Sequence, residues 1–458
     1  MRPLLPLFAL LVACTAETTD PVSADLTCTA TVPDVPTLVD VRWEPASTAV
    51  RSWVEYTTAD GVARTTADGV KDDDGAVNFT LFGATVEEDV VWTGISEEAD
   101  GAQSTCAGTT HTGSLPSDMP TLAVTEDNGD WDPDVNYFLG TFYEMMGTRS
   151  HVFVIDRTGK YLWFVMTEDD TVCVDVHLPR DGEGLLMNQL YRDFELDAAS
   201  IQRVSWHGDL VEDTPTTLAH HMFTELPDGT LAFQQLDARE FTDDDGVTDT
   251  WVGDAIAEVT PGGEAETVFS VWDWLTPEYN DNMDGISLYG GKDWTHGNLV
   301  SYDDETDRYL LSLAHVANVL EIERADMSVR RQFGPPGYTF ASGTTPFNLQ
   351  HTPILQDDGT ILMFTTPSSG SNSGAIEYQI DDATQLLTET WSSPINEVSF
   401  CLGQALPMPS GHVLINSGCS GGLREVGKED GLGRWQLTTP PGNGFGQVIP
   451  LAVPPWEL

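Results

Sequence analysis

Basic side chains are scarce in this chain: 20 Lys and Arg face 73 Asp and Glu over 458 residues, for a formal charge of −53. Phosphate backbones are held by clustered Lys and Arg, so nucleic acid is excluded as a partner, and the same deficit opposes charge-driven binding to anionic lipid. Long apolar runs are missing too. Leu4–Val12 is too short to span a bilayer, and nothing after it could serve as a transmembrane helix. There is no Rossmann glycine fingerprint, no complete P-loop and no H-E-x-x-H pair, so nucleotide, dinucleotide and zinc-hydrolase chemistry lack support. No cofactor and no metal is expected. Histidine is sparse, with ten in all, and cysteine sparser, with six.

The first fourteen residues carry an export pattern. Arg2 precedes the apolar run, which ends in Leu11-Val12-Ala13-Cys14. These small residues before a lone cysteine resemble a lipobox, which implies cleavage before Cys14 and acylation of it. Lipid burial adds about 0.8 kcal/mol per methylene, so several acyl chains make a lasting anchor. Thr15 is not the aspartate that often retains lipoproteins at the inner membrane. The chain is therefore expected to be exported and lipid-anchored, on the periplasmic side of the outer membrane or at the cell surface. Residues 15–24, rich in Thr, Ala, Asp and Pro, read as a tether.

Export permits disulfides. Cys28 and Cys106 bracket the N-terminal region and Cys401 and Cys419 flank one hairpin near the end, so these are the simplest pairings. Cys173 is left as a buried small hydrophobe. The acids are scattered through turns such as 72–74, 243–245 and 303–305, where they serve solubility. The run Asn280-Asp281-Asn282-Met283-Asp284-Gly285 places oxygens at alternate positions, but the twelfth position is Gly291 rather than an acid, which argues against an EF-hand loop.

With 13 Trp, 27 Pro and 41 Gly and few helix-period runs, the composition predicts an all-β protein of short strands and tight turns. Strand-like runs at 37–43, 52–57, 77–82 and 90–95 suggest an immunoglobulin- or fibronectin-like β-sandwich over residues 25–117. From 118 to 458 a faint repeat recurs: a polar turn with glycine, then an apolar strand. Its copies are Asp181–Met187, Pro227–Phe233, Asp357–Met363 and Pro409–Ile415, about 45 to 52 residues apart except for one longer gap, into which Asp307–Leu311 falls. That period predicts a six-bladed β-propeller.

Several of the few histidines precede repeat strands by a few residues: His220-His221, His296 and His351. In a propeller these positions face the central channel. The segments that hold them, Ala219-His220-His221, Asp293-Trp294-Thr295-His296-Gly297-Asn298 and Leu349-Gln350-His351-Thr352, resemble the bacterial arylsulfotransferases in order and spacing, as do Gly253-Asp254 and Trp272-Asp273-Trp274. The resemblance covers roughly residues 120 to 458.

It implies sulfuryl transfer from an aryl sulfate to a phenolic acceptor without a nucleotide donor, through a sulfohistidine. His351 would be the nucleophile, since a neutral imidazole attacks without first losing a proton. His296 and His221, beside His220, would hydrogen-bond the sulfuryl or bridging oxygens. Trp294 and Phe347 are candidates to stack on the aromatic donor, with Asn298 and His315 beside it. The chain departs from the family where an arginine is usual: it reads Leu311-Ser312-Leu313-Ala314-His315. Strand alternation would turn His315 away from the face that position 314 presents. The D-N-G that usually follows the Q-H strand is Phe364-Thr365-Thr366-Pro367 here. The alternative is a non-catalytic surface propeller that binds a ligand, glycan or protein. Three histidines on separate blades could also hold a transition metal, though no family context points there.

Overall fold

The computed structural model describes residues 26–144, 147–191, 198–243, 246–278, 290–366 and 372–458. The export signal with Cys14, the tether and the Asn280–Gly285 run lie outside the described residues. Among the described residues the fold is all-β, with only single-turn 3-10 helices beside the strands, and no described helix is long and apolar enough to cross a membrane.

Two compact units are present among the described residues: one of Leu26–Thr31, Val39–Leu81 and Asp89–His111, the other of Val32–Leu38, Phe82–Glu88 and the residues from Thr112 on. The first holds a three-stranded sheet, in order Cys28–Thr31, Val39–Trp43, Val77–Leu81, and a four-stranded sheet, in order Ala63–Thr65, Ala49–Thr57, Asp89–Glu98, Gln103–His111. The Cys28–Cys106 disulfide joins the two sheets. Trp43 stacks on Phe79 at 4.9 Å and donates to Ser96 Oγ at 2.9 Å across the same gap. Gly94 leaves room for both, since a Cβ there would lie 2.8 Å from Cys106 Sγ and 3.0 Å from Trp43.

The second unit contains six sheets of four or five strands. Numbered in chain order from the sheet that holds Tyr137–Met166, sheets two to six repeat one hairpin turn, after His177, Glu225, Asp303, Leu355 and Pro407 respectively. Gly182, Gly229, Gly359 and Gly411 sit there at φ of 77°, 83°, 81° and 84°, and Asp307 fills the same place in sheet four at 54°. Tight reversals need this left-handed conformation, and glycine adopts it without a Cβ penalty. Both faces of each sheet are covered, so strand patterns read as apolar runs rather than alternation. In Thr360–Thr365, Ile361 and Met363 pack toward sheet four while Leu362 and Phe364 pack toward sheet six.

Six such clusters fill the gaps between successive sheets, and the last packs sheet six, through Leu414, Trp435 and Leu437, against Phe138 and Phe142 of sheet one. Each fully buried Leu, Ile or Phe contributes roughly 1.5–3 kcal/mol. Hydrogen bonds close the same seam. Asn443–Leu451, from the chain end, pairs with Tyr137–Glu144 in sheet one, and Ala123–Asp127 pairs with Gly433–Thr438 in sheet six. A buried ionic knot lies there too: Glu425, fully buried, accepts from Arg157 at 2.8 Å and His412 at 2.7 Å and from the Asp132 amide at 2.6 Å. Cys401 and Cys419 form the second disulfide. Cys173 is buried and unpaired, and burial raises its thiol pKa, as suits an inert hydrophobe.

Candidate functional site

The first strands of sheets three, four and five are Ala219–Glu225, Gly297–Asp303 and His351–Leu355. Each begins with a break in register: between Ala219 and Phe223, between Gly297 and Leu299, and between His351 and Ile354. At or beside each break a non-glycine residue takes the left-handed conformation, with φ of 53° at His221, 46° at His296 and 47° at Thr352. Bulges re-aim side chains, and strained backbone of this kind persists only where its surroundings hold it. Here it gathers imidazoles from neighbouring sheets. The His221 ring meets His220 edge-on at 5.1 Å and His296 edge-on at 5.0 Å, and His296 stacks on His315 at 4.5 Å with a 17° tilt. His351 belongs to the same electrostatic group, because the charge of His296 acts on it and it acts on His221.

The δ-nitrogens of these rings are fixed by groups behind them. His296 Nδ1 donates to Asp293 Oδ2 at 2.5 Å, His315 Nδ1 to the Asp293 carbonyl at 2.8 Å, and His351 Nδ1 to the Leu349 carbonyl at 3.1 Å. The δ-nitrogens of His220 and His221 lie 2.8 Å apart, and His220 Nε2 lies 2.9 Å from Asp254 Oδ1. Asp254 in turn accepts from Thr295 Oγ1 at 2.5 Å and the Gly297 amide at 2.7 Å. Gly297 is required there: a Cβ would lie 2.4 Å from Gln234 Nε2 and 2.5 Å from Asp254 Oδ1.

Protonation follows from these partners. Burial, then the charge of His296, lowers His351 to about 4. The same two causes lower His315, and burial with its histidine neighbours holds His221 well below the usual range. For His296 burial is outweighed by the Asp293 carboxylate, and its pKa is raised. Among His221, His296, His315 and His351, His296 is therefore the ring that most readily carries a second proton. A neutral His351 with Nδ1–H on a carbonyl has its lone pair on Nε2, as a nucleophile needs.

The other residues singled out in the sequence fall in different places. Asn298 is buried and donates to the Gln350 carbonyl at 2.6 Å, while Gln350 Nε2 donates to the Leu313 and Asn318 carbonyls at 3.1 and 3.0 Å. These two tie the starts of neighbouring first strands together. Trp294 and Phe347 are each only 1% exposed. Trp294 packs on Trp272 at 5.3 Å, and Phe347 on Phe340 and Tyr378 at 5.3 and 5.9 Å. Other rings thus cover the faces that a donor ring would stack on. His315 lies not on a strand but in the turn 314–317, so alternation does not govern it and its ring reaches His296. Ala314 beside it is buried.

Sequence reasoning quoted Asp254 and Asp293 within family-like segments but gave no role to either carboxylate, and these two hold the histidines. It also missed Asp175 and His177. Asp175 Oδ2 accepts from the Phe223 amide at 2.8 Å and lies 3.1 Å from His177 Nε2. Both residues line a cavity of about 330 Å³ to which one edge strand of each of the six sheets contributes; Thr352 and Met222, which follow His351 and His221, line it, while the five clustered histidines do not. Most of its wall is apolar. The sequence Gly418-Cys419-Ser420-Gly421-Gly422 spells G-x-S-x-G, but it forms a 3-10 turn between strands with Cys419 in a disulfide, not a strand-to-helix elbow.

The arylsulfotransferase family model matches residues 130–432. No curated protein matches the chain. Among solved structures, a protein of unknown function from Bacteroides caccae is 15% identical, with 69% of this chain and 99% of that one covered at a TM-score of 0.43. A periplasmic gluconolactonase of Pseudomonas aeruginosa is 13% identical, with 70% and 99% covered at 0.40. A β-propeller domain from Myceliophteria thermophila is 10% identical, with 72% and 89% covered at 0.38.

Proposed function

From the premise that this chain belongs to the arylsulfotransferase family, we propose that it moves a sulfuryl group from an aryl sulfate to a phenol through a sulfohistidine at His351. The single observation that carries this reading is the state of His351: buried, neutral down to about pH 4, and pinned through Nδ1 so that Nε2 holds the lone pair.

In the first half-reaction Nε2 of His351 attacks sulfur. The S–N bond forms as the S–O bond to the aryl oxygen breaks, and the phenolate leaves with the bonding pair and takes a proton from Nε2 of His296. In the second half the acceptor phenol returns a proton to His296 as its oxygen attacks sulfur. The S–N bond breaks and its pair goes back to His351. Asp293 steadies the charged form of His296 throughout, and His221, oriented by His220 and Asp254, hydrogen-bonds the sulfuryl oxygens. Positioning and charge carry most of such a transfer, as in phosphoryl transfer. The apolar cavity takes the aromatic rings, while Asn298 and His315 hold the strand starts and the His296 ring in place. Trp294 and Phe347 act as the packed wall behind the site.

The same reading takes the six sheets as the blades of a propeller, the two N-terminal sheets as a sandwich over residues 25–117, and residues 118–458 as the catalytic domain. The lipobox at Cys14 then anchors an exported protein. Two disulfides accord with an oxidising compartment.

The test is 4-nitrophenolate release from 4-nitrophenyl sulfate by the purified full-length protein, with and without phenol. Acceptor-dependent release that His351→Ala abolishes is expected. A second reading is favoured by one observation: Ala314 stands where the family has arginine, and the groups that chiefly set the charge of His221, His296, His315 and His351 include no Lys or Arg. Folded protein that releases nothing would make the chain a non-catalytic propeller that binds a ligand, glycan or protein.

A further inference from the structure

A sulfuryl group carries negative charge, and so does what surrounds this site. Asp293 and Asp254 are both buried within the histidine cluster, at 2% and 1% exposure, in a chain of formal charge −53. An anion-binding site is normally built from Arg, Lys or a metal ion. Here the side chains at hand are imidazoles and carboxylates, which are donors to cations.

Three of them are already assembled. One carboxylate oxygen of Asp293, one ring nitrogen of His296 and one of His315 lie within 4.8 Å of one another. His296 and His315 stack on each other, and His315 Nδ1 is tied to the Asp293 carbonyl. Metal-binding histidines characteristically have the far nitrogen tied in this way, which fixes tautomer and orientation. His296 Nδ1 faces Asp293 Oδ2 directly at 2.5 Å, so the ion would enter between these two atoms in place of the shared proton. Two imidazoles and one carboxylate suit a divalent transition ion, and they suit Ca²⁺ or Mg²⁺ poorly.

We propose that Asp293, His296 and His315 bind one divalent transition-metal ion at the mouth of the histidine cluster. The binding stands by itself; the part the ion plays rests on the sulfuryl-transfer reading above. In that role the ion takes the place of the proton on His296 and draws charge from the bridging oxygen as the S–O bond breaks. Protons still balance, because the one that the acceptor phenol loses is gained by the phenolate that has left. The sulfur still passes through His351, which is outside the ligand set.

The test uses the full-length protein stripped of metal and dialysed against Zn²⁺ in excess Ca²⁺, so that the acidic surface is occupied by an ion the nitrogen donors refuse. One tightly held equivalent of Zn²⁺ is expected. His315→Ala and Asp293→Asn should each weaken binding by about ten-fold or more, by the scale of such losses at metal sites. His111→Ala, on the exposed surface of the other unit, should leave it unchanged. Co²⁺ offers a readout without substitution: a visible absorption band that Zn²⁺ abolishes is expected. Absence of a bound equivalent in folded wild-type protein, no such band, or Zn²⁺ affinity untouched by His315→Ala would overturn the proposal. Nitrophenolate release measured on the same samples separates the two ideas. Metal binding without release ends the transfer reading and leaves the site, whereas release by metal-free protein that Zn²⁺ does not change removes the ion's role in transfer.

Discussion

At the scale of single residues, the proposed transfer would set five similar rings to different tasks through what lies behind each. His351 offers the sharpest consequence. A histidine must be neutral to attack sulfur, and this one has its pKa lowered from 6.5 to about 4. The acid limb of the rate of nitrophenolate release should therefore fall near pH 4, with activity retained as pH drops through 6.5; a limb near 6.5 in a pH–rate profile would remove His351 from the role. Gly297 gives a second prediction. A methyl group at this position collides with Gln234 and Asp254, so Gly297→Ala should cost about 1–3 kcal/mol by denaturant titration. It should also slow transfer, because Asp254 can no longer orient His220. The histidines themselves were legible in the sequence because they precede apolar strands. The role of Asp254 was not, although its segment was quoted: it lies on the third strand of its sheet and reaches His220 only through strand pairing, which no local pattern encodes. His315 was misjudged for a related reason, since the alternation rule applies to strands and residues 314–317 form a turn.

At the scale of elements, the repeated hairpin could be read in advance, because a left-handed turn needs glycine whatever surrounds it. The bulges that begin the first strands could not, since their cause is the meeting of several sheets. The seam between sheets six and one was equally hidden, as its strands come from distant parts of the chain. It holds the most consequential buried charge, Glu425 against Arg157. Removing one partner leaves the other buried and uncompensated, so Glu425→Ala should destabilise by about 3–5 kcal/mol. Arg51→Ala breaks an ion pair whose two side chains are each 51% exposed, and its effect should be much the smaller of the two. Chemical denaturation of the two variants side by side checks both, and equal losses would contradict the ranking.

At the scale of the molecule, closure and charge dominate. The second unit is completed by Asn443–Leu451 from one end and Ala123–Asp127 from the other. Deleting residues 443–458 should therefore abolish the cooperative unfolding of that unit in calorimetry, rather than trim it. A formal charge of −53 sets self-repulsion against the folded state. Raising NaCl from about 0.01 M to about 1 M shortens the screening length from about 30 Å to about 3 Å, and Tm should rise across that range. Composition made the charge and the all-β class plain. It gave no sign that residues 32–38 and 82–88 pack with the second unit, because loop residues carry no periodic signature of the surface they meet.

The central claim is that sulfur rests on His351 between donor and acceptor. It is tested most directly by mixing full-length protein with 4-nitrophenyl sulfate in the absence of phenol, quenching in alkali, and mapping the added mass by peptide mass spectrometry. One sulfuryl group on the peptide containing His351, lost when phenol is added before the quench, is the expected result. An unmodified His351 in protein that nonetheless turns over donor and acceptor would contradict the sulfohistidine.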